Sequence, residues 1–292
     1  MGTSIDPGTR LGPVRLTVAD LDRARAFYRR ALGLQELEGG DGLAVLGTAP
    51  DRPLVELAGS GAAPERPRRS TGLFHLAILV PSRAELARSL RRVLDAGGSF
   101  TGASDHLVSE ALYLDDPEGS GIEIYRDRPR EEWTRDEGGL RMATLPLDME
   151  GVIREMPASP DEGMPEGTTM GHVHLQVRDI SEAEAFYSGV IGFDPTVRGY
   201  PGALFVSAGG YHHHVGLNTW GTAGAPAPPE GSRGLSRFEI VVPAAGEVAR
   251  IEDRARAAGH EAHRADGGVL LRDPSGNRVL VRHSALPPRR RL

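Results

Sequence analysis

The chain has 292 residues, 39% of them apolar, with a formal charge of −6 and no cysteine. That length accommodates two ordinary domains with packed cores. Without cysteine there are no disulfides, thiolate metal sites or cysteine nucleophiles, so a metal would have to sit on His, Asp or Glu. The charge is spread rather than blocked, and no basic stripe carries interleaved aromatics, which argues against a nucleic-acid partner. No apolar run reaches membrane-spanning length, and the opening MGTSIDPGTRLGPV has neither a basic n-region nor an apolar h-region. The expected compartment is therefore the cytoplasm, away from membranes.

In chain order, VRLTVADLDRARAFYRRALGL (14–34) opens with the alternation of a strand. Asp20 then stands as a helix N-cap, Phe27 and Tyr28 as the core face of a short amphipathic helix, and Gly33 as its end. GLFHLAILVPSRAELARSLRRVLDAGG (72–98) predicts a second strand and helix, followed by a hairpin region ending in Asp116-Pro117-Glu118-Gly119. Charge, Pro and Gly dominate EEWTRDEGG and PASPDEGMPEGT, which predicts an inter-domain connection over 129–168. VHLQVRDISEAEAFYSGVIGF (173–193) repeats the first frame at an offset of 159: V-x-L-x-V-x-D, Phe-Tyr seven residues after the Asp, Gly thirteen after it. GLSRFEIVVPAAGEVARIEDRARAAGH (234–260) repeats the second frame and leads to Asp273-Pro274-Ser275-Gly276. The RRR at 289–291 reads as a solubilising tail. Internal repetition of this kind makes four strand–helix–strands units, beginning near 10, 72, 170 and 233. The expected domains are 8–128 (units 1 and 2) and 169–286 (units 3 and 4).

These frames resemble the vicinal oxygen chelate superfamily, which includes glyoxalase I, bleomycin-resistance proteins and type I extradiol dioxygenases. The resemblance covers nearly the whole chain. It implies an α+β fold of four βαβββ modules in two tandem domains, with modules curling in pairs into a cup around a metal; periodicity alone gives only α+β. The superfamily places ligands on the first strand of a module and on the last strand after D-P-x-G. Here those places hold Pro13, His75, His172 and Arg237, and Glu56, Glu123, Leu280 and the apolar stretch Val215 to Leu217. The implied metal ligands are His75, Glu123 and His172, which requires module 2 to pair with module 3. Two imidazoles and one carboxylate on Fe(II) leave three positions for both oxygens of a diol and O2. A lone strand histidine is usually a core residue; the weight lies in three liganding types at three frame-defined places. The other cup, modules 1 and 4, cannot hold a divalent metal, and Arg237 is expected to stand in for the cation and pair with Glu56.

The run from Asp105 to Glu123 resembles the extradiol dioxygenase signature: His106, then Leu112-Tyr113, then D-P-x-G, then the Glu ligand. By that resemblance Tyr113 would hydrogen-bond a metal-bound catecholate oxygen and His106 would line the pocket. A tight hairpin could place Tyr113 and Glu123 on one inner face; the plain alternative is a core tyrosine. In His212-His213-His214, His213 fits the family frame for an acid–base histidine, suited to proton transfer near neutral pH. Strand alternation would turn His212 and His214 away from it, and opportunistic metal binding by the triplet is the alternative. His174 shares the face of His172 and is expected behind the ligands or in the substrate pocket.

The expectation is a catechol 2,3-dioxygenase-like extradiol enzyme of aromatic hydrocarbon catabolism, using Fe(II), with Mn(II) as the alternative, to open an aromatic diol with O2 to a semialdehyde. A homo-oligomer joined through sheet edges is left open. Two rivals stand beside it. A glyoxalase-like metal lyase or isomerase would need a fourth ligand that module 3 lacks. A metal-free drug-sequestering protein of the bleomycin-resistance type would have to bury two imidazoles and a carboxylate unaided, at several kcal/mol.

Overall fold

In the computed structural model, which describes residues 4–159 and 162–284, each of the four units is a βαβββ module. The RRR at 289–291 lies outside the described residues. Module 1 comprises β1 (Arg10–Val18), α1 (Leu21–Arg30), β2 (Gln35–Gly39), β3 (Leu43–Ala49) and β4 (Arg52–Gly59). Module 2 comprises β5 (Gly72–Leu79), α2 (Arg83–Asp95), β6 (Gly102–Asp105), β7 (Ser109–Asp115) and β8 (Gly121–Asp127). The connection carries three two-residue strands, β9 (Arg135–Asp136), β10 (Gly139–Leu140) and β11 (Leu145–Pro146), and the short helix α3 (Met149–Arg154). Module 3 has β12 (Thr169–Gln176), α4 (Ile180–Glu184) continuing as a π-helical turn over Ala185–Ile191, β13 (Asp194–Val197), β14 (Ala203–Ser207) and β15 (Val215–Asn218). Module 4 has β16 (Gly234–Val242), α5 (Ala245–Ala257), β17 (Ala262–Ala265), β18 (Gly268–Arg272) and β19 (Arg278–His283).

The repeated motifs do the local work that their chemistry predicts. Asp20 accepts from the Arg23 backbone N–H and Asp179 from that of Glu182, each at 2.9 Å, capping helices whose orphan donors would otherwise go unmet. Gly33 and Gly192 leave those helices at φ 74° and 100°, a conformation that costs a residue with a Cβ.

The strands form two mixed sheets. One has eight strands in the order β17-β18-β19-β16-β1-β4-β3-β2 and joins module 1 to module 4. The other has eleven, β11-β6-β7-β8-β5-β12-β15-β14-β13-β10-β9, and joins module 2 to module 3 through antiparallel β5 and β12. Its two ends are tied together by the chain itself. Leu140 lies in β10, one strand in from one edge, and Leu145 in β11 at the other edge, and five residues span at most about 18 Å. The larger sheet therefore must curl into a cup, and residues 141–144 cross its open side.

Sheet pairing joins modules 1 with 4 and 2 with 3, whereas buried hydrogen bonds join 1 with 2 and 3 with 4. The Tyr28 hydroxyl donates to Asp116 at 3.0 Å, and its repeat Tyr187 donates to Asp273 at 3.0 Å. Each aspartate also accepts backbone N–H groups of its own D-P-x-G turn. Burial pushes both carboxyls up from the ordinary Asp value, with these donors opposing it. A single apolar cluster runs through all four modules, including Tyr28, Ile78, Tyr187 and Phe238. Removing a donor from a buried carboxylate typically costs about 1.5–3 kcal/mol. Tyr28→Phe and Tyr187→Phe should each lower the unfolding free energy by that much, read as a lower urea midpoint at unchanged denaturant slope; no measurable shift in either would show that these bonds do not brace the modules.

Candidate metal centre

Pairing of β5 with β12 sets His174 opposite His75, and β8 joins β5 in parallel with Glu123 beside Ala77. His75, Glu123 and His172 then converge: one ligand atom from each lies within 4.8 Å of the others, and all three residues are buried. The Nε2 of His172 is 3.2 Å and that of His75 3.0 Å from the same Glu123 oxygen, Oε2. His75 Nε2 is buried without a well-formed hydrogen bond, as is His172 Nδ1. Burial works to raise the Glu123 carboxyl, but His172 and His75 outweigh it and hold the group well below the usual carboxylate range. Burial pushes His172 down to about 4, leaving a neutral imidazole of the kind that ligates a metal. Two neutral imidazoles and a carboxylate on one side of a shared point fit a divalent cation of the Fe(II) or Mn(II) type and leave the opposite side open. Gly171 permits the arrangement, since a Cβ there would lie 1.8 Å from the Tyr125 hydroxyl oxygen.

The open side faces a cavity of about 410 Å³ lined by His106, Tyr113, His174 and His213 among others. Tyr113 is the direct cross-strand partner of Glu123 in the β7–β8 hairpin, so the two share a face. Its hydroxyl lies 2.6 Å from His106 Nε2, and His106 Nδ1 lies 2.7 Å from the Ala143 carbonyl. A carbonyl only accepts, so Nδ1 carries the proton, and in the neutral ring Nε2 accepts from Tyr113. Burial, then the charge of Glu123, raises the Tyr113 phenol well above its ordinary value and keeps it protonated.

The histidine triplet departs from the alternation expected of it. Gly209 and Gly210, at φ 60° and 67°, turn the chain ahead of β15, so Tyr211 to His214 precede the strand rather than belong to it. His212 accordingly does not point away from His213: their Nδ1 atoms are 2.7 Å apart. His212 Nε2 donates to Asp127 Oδ1 at 2.9 Å, an oxygen that also accepts from Tyr211 at 3.2 Å. In the tautomer that carries its one ring proton on Nε2, His212 accepts at Nδ1 and His213 donates there, leaving His213 Nε2 with its lone pair. The His213 ring centroid is 4.0 Å from that of His172. Burial and then the neighbouring His172 and His212 hold His213 well below its usual value. His214 does turn away, stacked on Phe193 with ring planes 15° apart. All three rings are buried, which ends the reading of a surface metal-binding triplet. His174 lies outside the ligand cluster; its ring is 5.0 Å from that of His75, and its buried Nε2 has no hydrogen-bond partner.

Residues that sequence reasoning missed come from segments far apart in the chain: Phe74, Trp220 and the connection's Met142, Ala143 and Thr144 line the cavity, and Asp127 bonds His212 behind it. The smaller sheet supplies a contrast. Arg237 sits opposite Arg15 just as His75 sits opposite His174. Its guanidinium is 3.7 Å from Glu56 and 3.6 Å from Glu239, and it also bonds Asp266. The expected Arg237–Glu56 pair is thus present, in a network that includes Arg15 at 3.5 Å from Glu56. Pro13 and Leu280 occupy the other ligand places.

The profile of the glyoxalase/bleomycin resistance protein/dioxygenase superfamily matches residues 10–124 and 169–281. The chain belongs to this superfamily. A catechol-2,3-dioxygenase of Bacillus subtilis (strain 168) is 43% identical over 276 residues, covering 93% of this chain and 96% of that one. Among solved structures, a provisionally assigned dioxygenase of Bacillus subtilis subsp. subtilis str. 168 superposes with a TM-score of 0.63 at 14% identity, covering 96% of this chain and 86% of that one. Glyoxalase I from Zea mays gives 0.59 at 17% identity over 94% and 92%; at such identities these two structures speak for the fold alone. Among the described residues no helix is long and apolar enough to cross a membrane.

Metal added to the metal-free protein should therefore raise its melting temperature, because ligand binding to the folded state stabilises it by RT ln(1 + [L]/Kd). Fe(II) or Mn(II) under anaerobic conditions is expected to give that rise in the wild type and in Arg237→Ala, and none in His75→Ala. A rise that survives His75→Ala but vanishes in Arg237→Ala would move the metal to the other sheet.

Proposed function

We propose that the protein is an extradiol ring-cleavage dioxygenase that opens a catechol-type diol with O2 at one Fe(II) held by His75, Glu123 and His172. The observation that carries this reading is the three-residue, one-sided ligand set facing a cavity that also holds His213, Tyr113 and His106. A bidentate diol and a gas need three open positions, which a three-residue ligand set leaves. The 43% identical relative named catechol-2,3-dioxygenase supports it. Among the described residues no fourth His, Asp or Glu joins the cluster, as the glyoxalase-like alternative would require.

Bound Fe(II) would supply a chelation point for the diol and O2 and a route for electrons between them. The chain's own residues do the rest. His213 Nε2, kept as a lone pair by the His212–Asp127 bonds, takes the proton of a diol hydroxyl and later returns one to the opening ring. Asp127 is a quarter exposed and lies at the solvent end of this hydrogen-bond series. Tyr113, which stays protonated, would turn its one O–H from His106 Nε2 to a diol oxygen when the diol binds, fixing the ring's orientation. The aromatic walls keep bulk water from the reacting atoms.

Anaerobic loading with Fe(II), then catechol and air, should produce the yellow ring-opened semialdehyde. His172→Ala should give none, and Arg237→Ala should retain it. His213→Phe should lower kcat roughly a hundredfold or more, and Asp127→Ala about tenfold to a hundredfold with little change in iron content. Stoichiometric iron without colour from any catechol would overturn the reaction; failure to bind metal would favour the sequestering alternative. A His213→Phe enzyme as fast as wild type would remove the acid–base role.

A further inference from the structure

We propose, resting on the ring-cleavage reading, that the cavity selects diols bearing an uncharged apolar substituent, aryl or alkyl, and that Phe74 and Trp220 are the residues that grip it. At about 410 Å³ the cavity falls in the range of pockets that enclose drug-sized ligands, well beyond the eight heavy atoms of catechol itself. The ligand triad, His106, Tyr113 and His213 share its lining with four aromatic side chains, Phe74, Tyr200, Phe205 and Trp220. Phe74 and Trp220 are the exposed rings among them.

Phe74 and Trp220 are 40% and 41% exposed, two of the few large apolar side chains left open to water. Their ring centroids are 5.8 Å apart with planes at 78°. Each also meets His174, at 5.3 and 5.6 Å. Phe74 is the immediate neighbour of His75 on β5, whereas Trp220 follows β15, so each of the two modules that build the metal centre supplies one ring to a shared aromatic wall. The indole is set in place beforehand: Nε1 donates to the Pro201 carbonyl at 3.0 Å, and the Trp220 backbone N–H donates to Asn218 at 3.1 Å. Gly202 lies against it, with an added Cβ only 3.2 Å from Nε1. A fixed aromatic surface binds an apolar group with little ordering cost.

Charge decides against the other class of substituent. Among the described residues no Lys or Arg lines this cavity, and the formal charges on its lining are the carboxylates of Asp115 and Glu123. Away from the metal, a carboxylate on the diol would shed water with no Lys or Arg to pair with it and with the like charge of Asp115 on the same lining.

Two readouts test this on the Fe(II)-loaded protein. Anaerobic binding is followed by tryptophan fluorescence with 3-phenylcatechol, catechol and 3,4-dihydroxybenzoate, and turnover of the same three is measured in air. The arylated diol should bind roughly tenfold or more tightly than catechol, and the carboxylate more weakly than catechol. Phe74→Ala should bring the aryl-to-catechol ratio toward one in both readouts and Trp220→Ala should do so in turnover, while Trp220→Phe should remove most of the fluorescence response and preserve much of the turnover ratio. Tight, selective binding without turnover would sink the dioxygenase reading and leave the recognition intact. Equal or tighter binding of the carboxylate, or a ratio indifferent to both substitutions, would overturn the proposal.

Discussion

The antiparallel pairing of Gly72–Leu79 with Thr169–Gln176 is the contact on which the rest depends. It joins strands separated by the whole of modules 2 and the connection, it places His75 opposite His174, and it brings Glu123 and His172 to one point. Because side chains alternate along a strand, slipping this register by one residue would turn the histidines out of the cup. The register is held from several directions. Irregularities flank His172 on β12, Gly171 admits Tyr125, and the short connection ties the sheet's two edges together. The buried tyrosine–aspartate bonds then tie modules 1 to 2 and 3 to 4 across that pairing.

The two sheets show how one scaffold accepts or refuses a cation. Corresponding positions carry His75 and His174 in one and Arg237 and Arg15 in the other, while Glu123 corresponds to Leu280. A guanidinium brings its own permanent charge and satisfies Glu56, Glu239 and Asp266 directly, so the smaller sheet has no need of an ion. The larger sheet presents lone pairs instead. Its carboxylate is held ionised and its histidine neutral, the protonation states in which both groups bind metal.

Much of this was legible in the residues. The repeat at an offset of 159, the capping aspartates and the D-P-x-G turns each depend on local chemistry, so the four modules could be read from the chain directly. The converging triad was readable because its members stand at equivalent places in repeated frames. What escaped depends on contacts between segments distant in sequence. Asp127 reaches His212 across 85 residues, and nothing near either residue announces the other. Phe74 and Trp220 meet only after the modules pair, and residues 141–144 gain their place from two strands of two residues each. The triplet His212-His213-His214 was misjudged for a local reason: two left-handed glycines bend the chain there, and strand alternation does not apply.

The central claim is a single metal site in the larger sheet. Anomalous diffraction at the iron edge, from crystals grown anaerobically with Fe(II), tests it most directly. The account predicts one peak, bounded by His75, Glu123 and His172 and open toward Tyr113 and His213. A peak beside Arg237 and Glu56, or none between the three ligands at saturating iron, would contradict it.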